Sequence, residues 1–191
     1  IRERVTDDMI AAHTGVSPES VTIVKGLSSA KGPDGQLLQD LLEYIRSHDL
    51  SIQENYDYVA QQLDIASTID FFIAESWCTN YDTWNIKLYY SREGDGKWRF
   101  VLYDLDVAFL MDNSNAVQLL YTSYDRLLAS LMANAGFQEQ YTLRMGELLR
   151  GPLREEAVLE RLERFIRRIQ GDMRYNCERW SYNRSYEQWL A

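Results

Sequence analysis

Apolar residues recur at helical spacing through most of this chain and alternate at strand spacing in one place. From Gln36 to Ser47, residues Leu37, Leu38, Leu41, Leu42 and Ile45 repeat at helical spacing, which predicts an amphipathic helix with a buried face. Ile65 to Cys78 is almost wholly apolar on one side, the pattern of a helix running through a core. Thr6 to His13 opens on a Thr-Asp-Asp cap and stops at Gly15, a short helix. Further helices are expected at Ser51–Gln62 and at about Tyr124–Asn134, Gln138–Leu149 and Leu153–Asn176. Ala30 to Gly35 (AKGPDG) is the clearest turn-rich break, too short for an interdomain linker. One domain over residues 1–191 is therefore expected, without internal repeats.

The strand-like pair is Ile86–Ser91 (IKLYYS) and Trp98–Tyr103 (WRFVLY), rich in aromatic and branched residues. Between them Arg92–Lys97 (REGDGK) has two glycines and an Asp, the composition of a hairpin loop. If Arg92 faces Lys97, Asn85 falls opposite Asp104 at the open end. Asp82 lies one turn before the first strand, and Asp106 points the same way as Asp104 if the chain stays extended. One amide and three carboxylates then converge. Asp and Asn also cap turns and helices, and a single one of these residues would be read that way. Four around one hairpin are different, because close carboxylates repel unless a cation lies between them. Hard oxygen ligands without histidine or cysteine suit Mg²⁺, which usually arrives with a nucleotide's phosphates.

Composition narrows the class. The chain has 191 residues and 46% hydrophobic content, enough to bury a core without staples. Its 13 tyrosines and 5 tryptophans suit a helical lobe with large side chains between its elements. A net charge of −9 argues against nonspecific nucleic-acid binding and against adhesion to an anionic membrane. It fits a protein partner with basic tracts. No apolar run is long enough to span a bilayer, and no signal peptide is visible. Cys78 and Cys177 have no metal spacing, and Cys78, in an aromatic helix end, reads as a buried free thiol. His13 and His48 sit near helix ends, in capping or dipole positions. The arginines at 161, 164, 167 and 168 read as a solvated helix face.

Asn80, Asp82, Asn85, Gly96, Trp98, Asp104, Leu105, Asp106 and Phe109 form a pattern that resembles the spore coat protein H (CotH) kinase family. The flanks are similar too: Arg2-Glu3-Arg4-Val5 before a short helix, Glu54-Asn55-Tyr56 with Leu63-Asp64-Ile65, and Glu178-Arg179-Trp180. The resemblance covers nearly the whole chain. It implies a mainly α fold with one β-hairpin (α+β), the helical C-terminal lobe of an atypical protein kinase that uses ATP and Mg²⁺. Its substrates would be serine or threonine hydroxyls of a partner protein, basic or serine-rich. Carried over, Asp82 is the catalytic aspartate that orients or deprotonates the hydroxyl. Asn85 and Asp104 are metal ligands, with Asp106 beside them, and Arg2, Glu3 and Arg4 lie on the cofactor side. The resemblance also implies a bacterial protein of the spore coat or cell surface. The Asp82–Asn85 spacing is tighter than is usual in the family, so Asn80 is a second candidate for the amide role. Leu110 stands where the family often has glycine.

The four lysines are Lys25 and Lys31, read in helical or loop context, and Lys87 and Lys97 on the hairpin. No glycine-rich loop follows a strand. The small nucleotide-cradling lobe is therefore expected upstream of Ile1, with Ile1–Val5 as the hinge, and this stretch alone is expected to be nearly inactive. A dehalogenase-type phosphatase would share the Asp104-x-Asp106 motif. It also needs strands and a lysine after that motif, and no lysine follows Asp106. A non-catalytic, kinase-like partner-binding module is the remaining alternative.

Overall fold

The computed structural model describes residues 4–27, 31–109, 116–180 and 185–190. They fall into two compact units, 1–144 and 145–191. The first holds helices α1 (Asp7–Thr14), α2 (Gly32–Ser47), α3 (Gln53–Ala60) and α4 (Ile65–Trp77), then α5 (Ala116–Thr122) and α6 (Leu127–Leu131). It also holds a three-stranded antiparallel sheet in the order β1 (Val21–Lys25), β2 (Lys87–Ser91), β3 (Arg99–Val101). Helix α7 (Ala135–Arg150) crosses the boundary, and the second unit contains α8 (Glu155–Trp180) and α9 (Tyr186–Leu190). The mainly helical, small-sheet class expected from the sequence is the class observed.

Each main element follows from local chemistry. Thr6 caps α1 by accepting the Met9 N–H, and Gly15 ends it in the left-handed conformation, φ +78°. Asp64 caps α4 by accepting the Ser67 N–H at 2.8 Å. Helix α2 buries Leu38, Leu41, Leu42 and Ile45, while Leu37 lies outside that stripe and is exposed. The GPDG segment expected as a loop is instead the first turn of α2, with proline at the start, where its missing N–H costs nothing. Asp34 in that turn is buried and accepts from Thr22 of β1 and from Arg92 just beyond β2.

Strand β1 corrects the sequence reading. Val21, Thr22, Ile23 and Val24 are four β-branched residues in succession, and they pair with β2 in register Val21 with Ser91 to Lys25 with Lys87. Lys25 is thus strand-borne, not helical or in a loop. Helix α5 was also not anticipated.

The hairpin forms where expected but one residue out of the expected register. Leu88 pairs with Phe100, not Val101. The cause is Trp98. Its backbone N–H donates to Gln62 O at 2.8 Å, its carbonyl accepts from Asp64 N at 2.9 Å, and its side chain is buried. Leu88 and Phe100 are buried as well, so the slip aligns the apolar positions of both strands on the core face. Phe100 stacks on Phe71 of α4 at 4.3 Å, and Phe72 and Tyr124 complete the aromatic centre.

The second unit is dominated by α8, in which no residue is buried. Arg164 and Arg167 pair with Glu160 and Glu163 one turn earlier, so this part of the arginine face is solvated as read.

Candidate active site

Helix α4 ends at Trp77 and the chain turns back through Thr79, whose φ of +48° lies in the left-handed region. That turn brings Asn80 N to Glu75 O at 3.1 Å and buries the Asn80 side chain. The Asn80 amide donates to Glu75 Oε2 at 2.8 Å, and its oxygen accepts the Asp82 N–H at 3.2 Å. Asp82 is half-buried. Burial pushes the Glu75 carboxyl up, and the negative charge of Asp82 adds to the rise against the opposing Asn80 and Tyr124 hydrogen bonds. Both ends of the Asn80 amide are therefore engaged, one by the buried acid and the other by the loop backbone.

Asn85 and Asp104 meet, but by a different route from the one expected. The ladder ends at Val101, and its register runs toward a pairing of Asn85 with Tyr103. Asp104 turns into the left-handed region at φ +62°, and the Asn85 amide donates to its Oδ2. Tyr103 donates its hydroxyl hydrogen to the Asn85 oxygen at 2.6 Å, and Lys87 Nζ lies over the Tyr103 ring, 4.6 Å from its centroid. The segment beyond returns to α4: Phe109 N donates to Cys78 O at 2.9 Å, and its ring packs edge-on against Trp77. Left-handed φ values at Thr79, Asp104 and Phe109 place backbone strain around this one region.

Asp106 is exposed at the start of the turn preceding Phe109. Among the described residues no three His, Cys, Asp or Glu side chains form a group that could hold a metal. The three-carboxylate convergence expected from an extended chain is not present, because the turn at Asp104 redirects the chain. What the hairpin mouth offers Mg²⁺ is one amide oxygen and one carboxylate. That donor set fits an ion bound through one or two protein oxygens plus phosphates and water. Asn85 would have to turn its oxygen toward Asp104, which the Tyr103 hydroxyl permits because it accepts as well as donates. Arg4 is exposed, while Arg2, Glu3, Leu110, Asp112, Asn113 and Asn115 lie outside the described residues.

Beside the Asp82 loop lies a cavity of about 590 Å³, lined in part by Gln39, Arg46, Thr83, Trp84, Ser123 and Asp125. Trp84 is 88% exposed. Tyr124 and Asp125 also line it, and with Arg126 they are three successive left-handed residues, φ +53° to +59°. Tyr124 turns inward and donates to Glu75 Oε2 at 3.4 Å, while Asp125 pairs outside with Arg46. Sequence reasoning missed Glu75, Tyr103 and Tyr124. The legible signal was Glu75 itself, a lone acid in the apolar run FFIAESW.

A helical body with a small antiparallel sheet thus carries an amide–carboxylate pair at the hairpin mouth. The family model described as CotH kinase protein matches residues 11–191, and the chain belongs to that family. No curated protein and no solved structure matches it. Membership supports a kinase-like function and an association with the spore coat. No helix among the described residues is long and apolar enough to cross a membrane.

Proposed function

We propose that this protein transfers the γ-phosphoryl group of ATP, with Mg²⁺, to serine or threonine hydroxyls of a partner protein. The observation that carries the reading is the Asn85–Asp104 pair at the hairpin mouth, three residues from Asp82 on the preceding loop. Bound Mg²⁺ supplies neutralisation of charge on the transferred group. Asn85 and Asp104 are the residues that would hold it, with Asp106 as a further oxygen donor from the adjacent turn. Asp82 orients the acceptor hydroxyl and takes its proton as the new O–P bond forms and the bond to the β–γ bridging oxygen breaks. Arg2, Glu3 and Arg4 belong to the nucleotide side in this reading. The net charge of −9 favours an acceptor with basic tracts.

A second reading, a non-catalytic partner-binding module, draws on the absence of a three-acid group among the described residues. Transfer of labelled phosphate from ATP by the intact protein, with and without Mg²⁺ and as Asp104→Ala, separates the two. Metal-dependent labelling of serine or threonine that Asp104→Ala abolishes is the expected result. Labelling unchanged in Asp104→Ala overturns the assigned mechanism, and no labelling by the wild type favours the binding module.

A further inference from the structure

We infer that Glu75 is a positioning residue for the Asp82 loop, acting through Asn80. Its catalytic consequence rests on the kinase reading above; its structural part does not.

Glu75 is 2% exposed, on a helix whose neighbouring Phe71, Phe72 and Ile73 are all buried. An acid at such a place is costly unless it is hydrogen-bonded, and an apolar residue of similar size would pack there at less cost. Its carboxyl does have partners, and they point to one task. Asn80, itself 4% exposed, gives its N–H to Glu75 and offers its oxygen to the Asp82 backbone N–H. An amide held at one end has its other end oriented. With Nδ2 fixed on Glu75, the Asn80 oxygen must face residue 82. The strained Thr79 turn makes that reach possible across five residues. Tyr124 grips the same Glu75 oxygen from the cavity wall. Burial and the neighbouring Glu75 push its phenol up, so it stays protonated and donates. Glu75 is too deeply buried to touch an acceptor. Its influence passes through Asn80 to the backbone that carries Asp82.

The test combines amide hydrogen exchange at Asp82 with transfer kinetics, on the intact protein as Glu75→Leu, Asn80→Ala, Glu75→Gln and the Glu75→Leu/Asn80→Ala double variant. Glutamine keeps an oxygen that can accept from Asn80, and leucine does not. Faster exchange at Asp82 in Glu75→Leu and Asn80→Ala, restored toward wild type in Glu75→Gln, is the expected result. In transfer, the first two variants should lose about ten- to hundredfold in kcat with KM for ATP unchanged. The double variant should lose no more than either alone, because the two act as one unit. Unchanged exchange at Asp82 in Glu75→Leu overturns the inference, as does full additivity in the double variant. Should Glu75→Leu fail to fold, Asn80→Ala with Glu75→Gln carries the same comparison. A wild type without transfer counts against the kinase reading, and the exchange data then decide the positioning role alone.

Discussion

Tyr103 donates its hydroxyl hydrogen to the Asn85 oxygen at 2.6 Å, and the other end of the same amide donates to Asp104, the next residue in the chain from Tyr103. Two consecutive residues thus hold both ends of one candidate metal ligand. Tyr103→Phe should cost about 0.5–1.5 kcal/mol of stability through the lost bond. It should also raise the Mg²⁺ concentration needed for half-maximal transfer, since no hydroxyl would be left to accept from the Asn85 amide once its oxygen turns toward Asp104. Urea unfolding and a magnesium titration measure the two effects. An unchanged magnesium requirement would mean that Asn85 is not a ligand or does not need Tyr103.

Asp82→Ala should lower the transfer rate by about 10²–10⁴-fold while nucleotide affinity stays the same. The reason is the role given to its carboxylate, which touches the acceptor hydroxyl and not the nucleotide. Single-turnover rates beside equilibrium nucleotide binding give both numbers. A proportional loss of binding would assign Asp82 to the nucleotide side.

Phe72 is fully buried and packs against Phe71, Phe100 and Tyr124. Phe72→Ala should therefore destabilise the protein by about 3–5 kcal/mol, the cost of a large aromatic cavity. The chevron or equilibrium midpoint in denaturant reports it. A loss below about 1 kcal/mol would show that the aromatic centre collapses around the gap.

Asp34 gives a pH dependence. Burial alone would raise its carboxyl, but the Thr22 hydroxyl and the Arg92 guanidinium outweigh burial and hold it below the ordinary value. A depressed folded-state value means stabilisation that is present above the unfolded value, about 3.9, and is lost as pH falls through the folded one. Asp34→Asn should thus melt below wild type at neutral pH, with the gap closing as pH drops under about 4. Melting curves across pH 2–7 would show it, and a gap independent of pH would mean that Asp34 acts by hydrogen bonding alone.

The two cysteines should differ in reactivity. Cys78 is buried and its thiol is pushed up to about 11, chiefly by burial and further by Glu75. Cys177 is half-exposed on α8. A thiol reagent near pH 8 should label one equivalent rapidly in the native protein and two in denaturant. Rapid labelling of both would place Cys78 on an opening segment.

The sequence made the long helices and the hairpin legible because both depend on periodicity. The register was not legible, because it is set by Trp98 bonding to Gln62 and Asp64, a contact between segments far apart in the chain. The Asn85–Asp104 meeting was anticipated for the wrong reason: an ideal ladder was assumed where a left-handed residue does the work. Strand β1 was missed because five residues between turn-like flanks resemble a loop until β2 supplies the pairing. Glu75 was legible as a lone acid in an apolar run, but its partnership with Tyr124 was not, because Tyr124 reaches it only through the fold.

The three left-handed residues at 124–126 tie a surface ion pair to an interior hydrogen bond. An exposed acid in an ion pair is ordinarily worth little, since water replaces what it loses. Asp125 shares one left-handed corner of main chain with Tyr124, whose phenol reaches Glu75 in the interior while Asp125 meets Arg46 outside. The rim of the cavity and the aromatic core thus meet in a single turn of backbone.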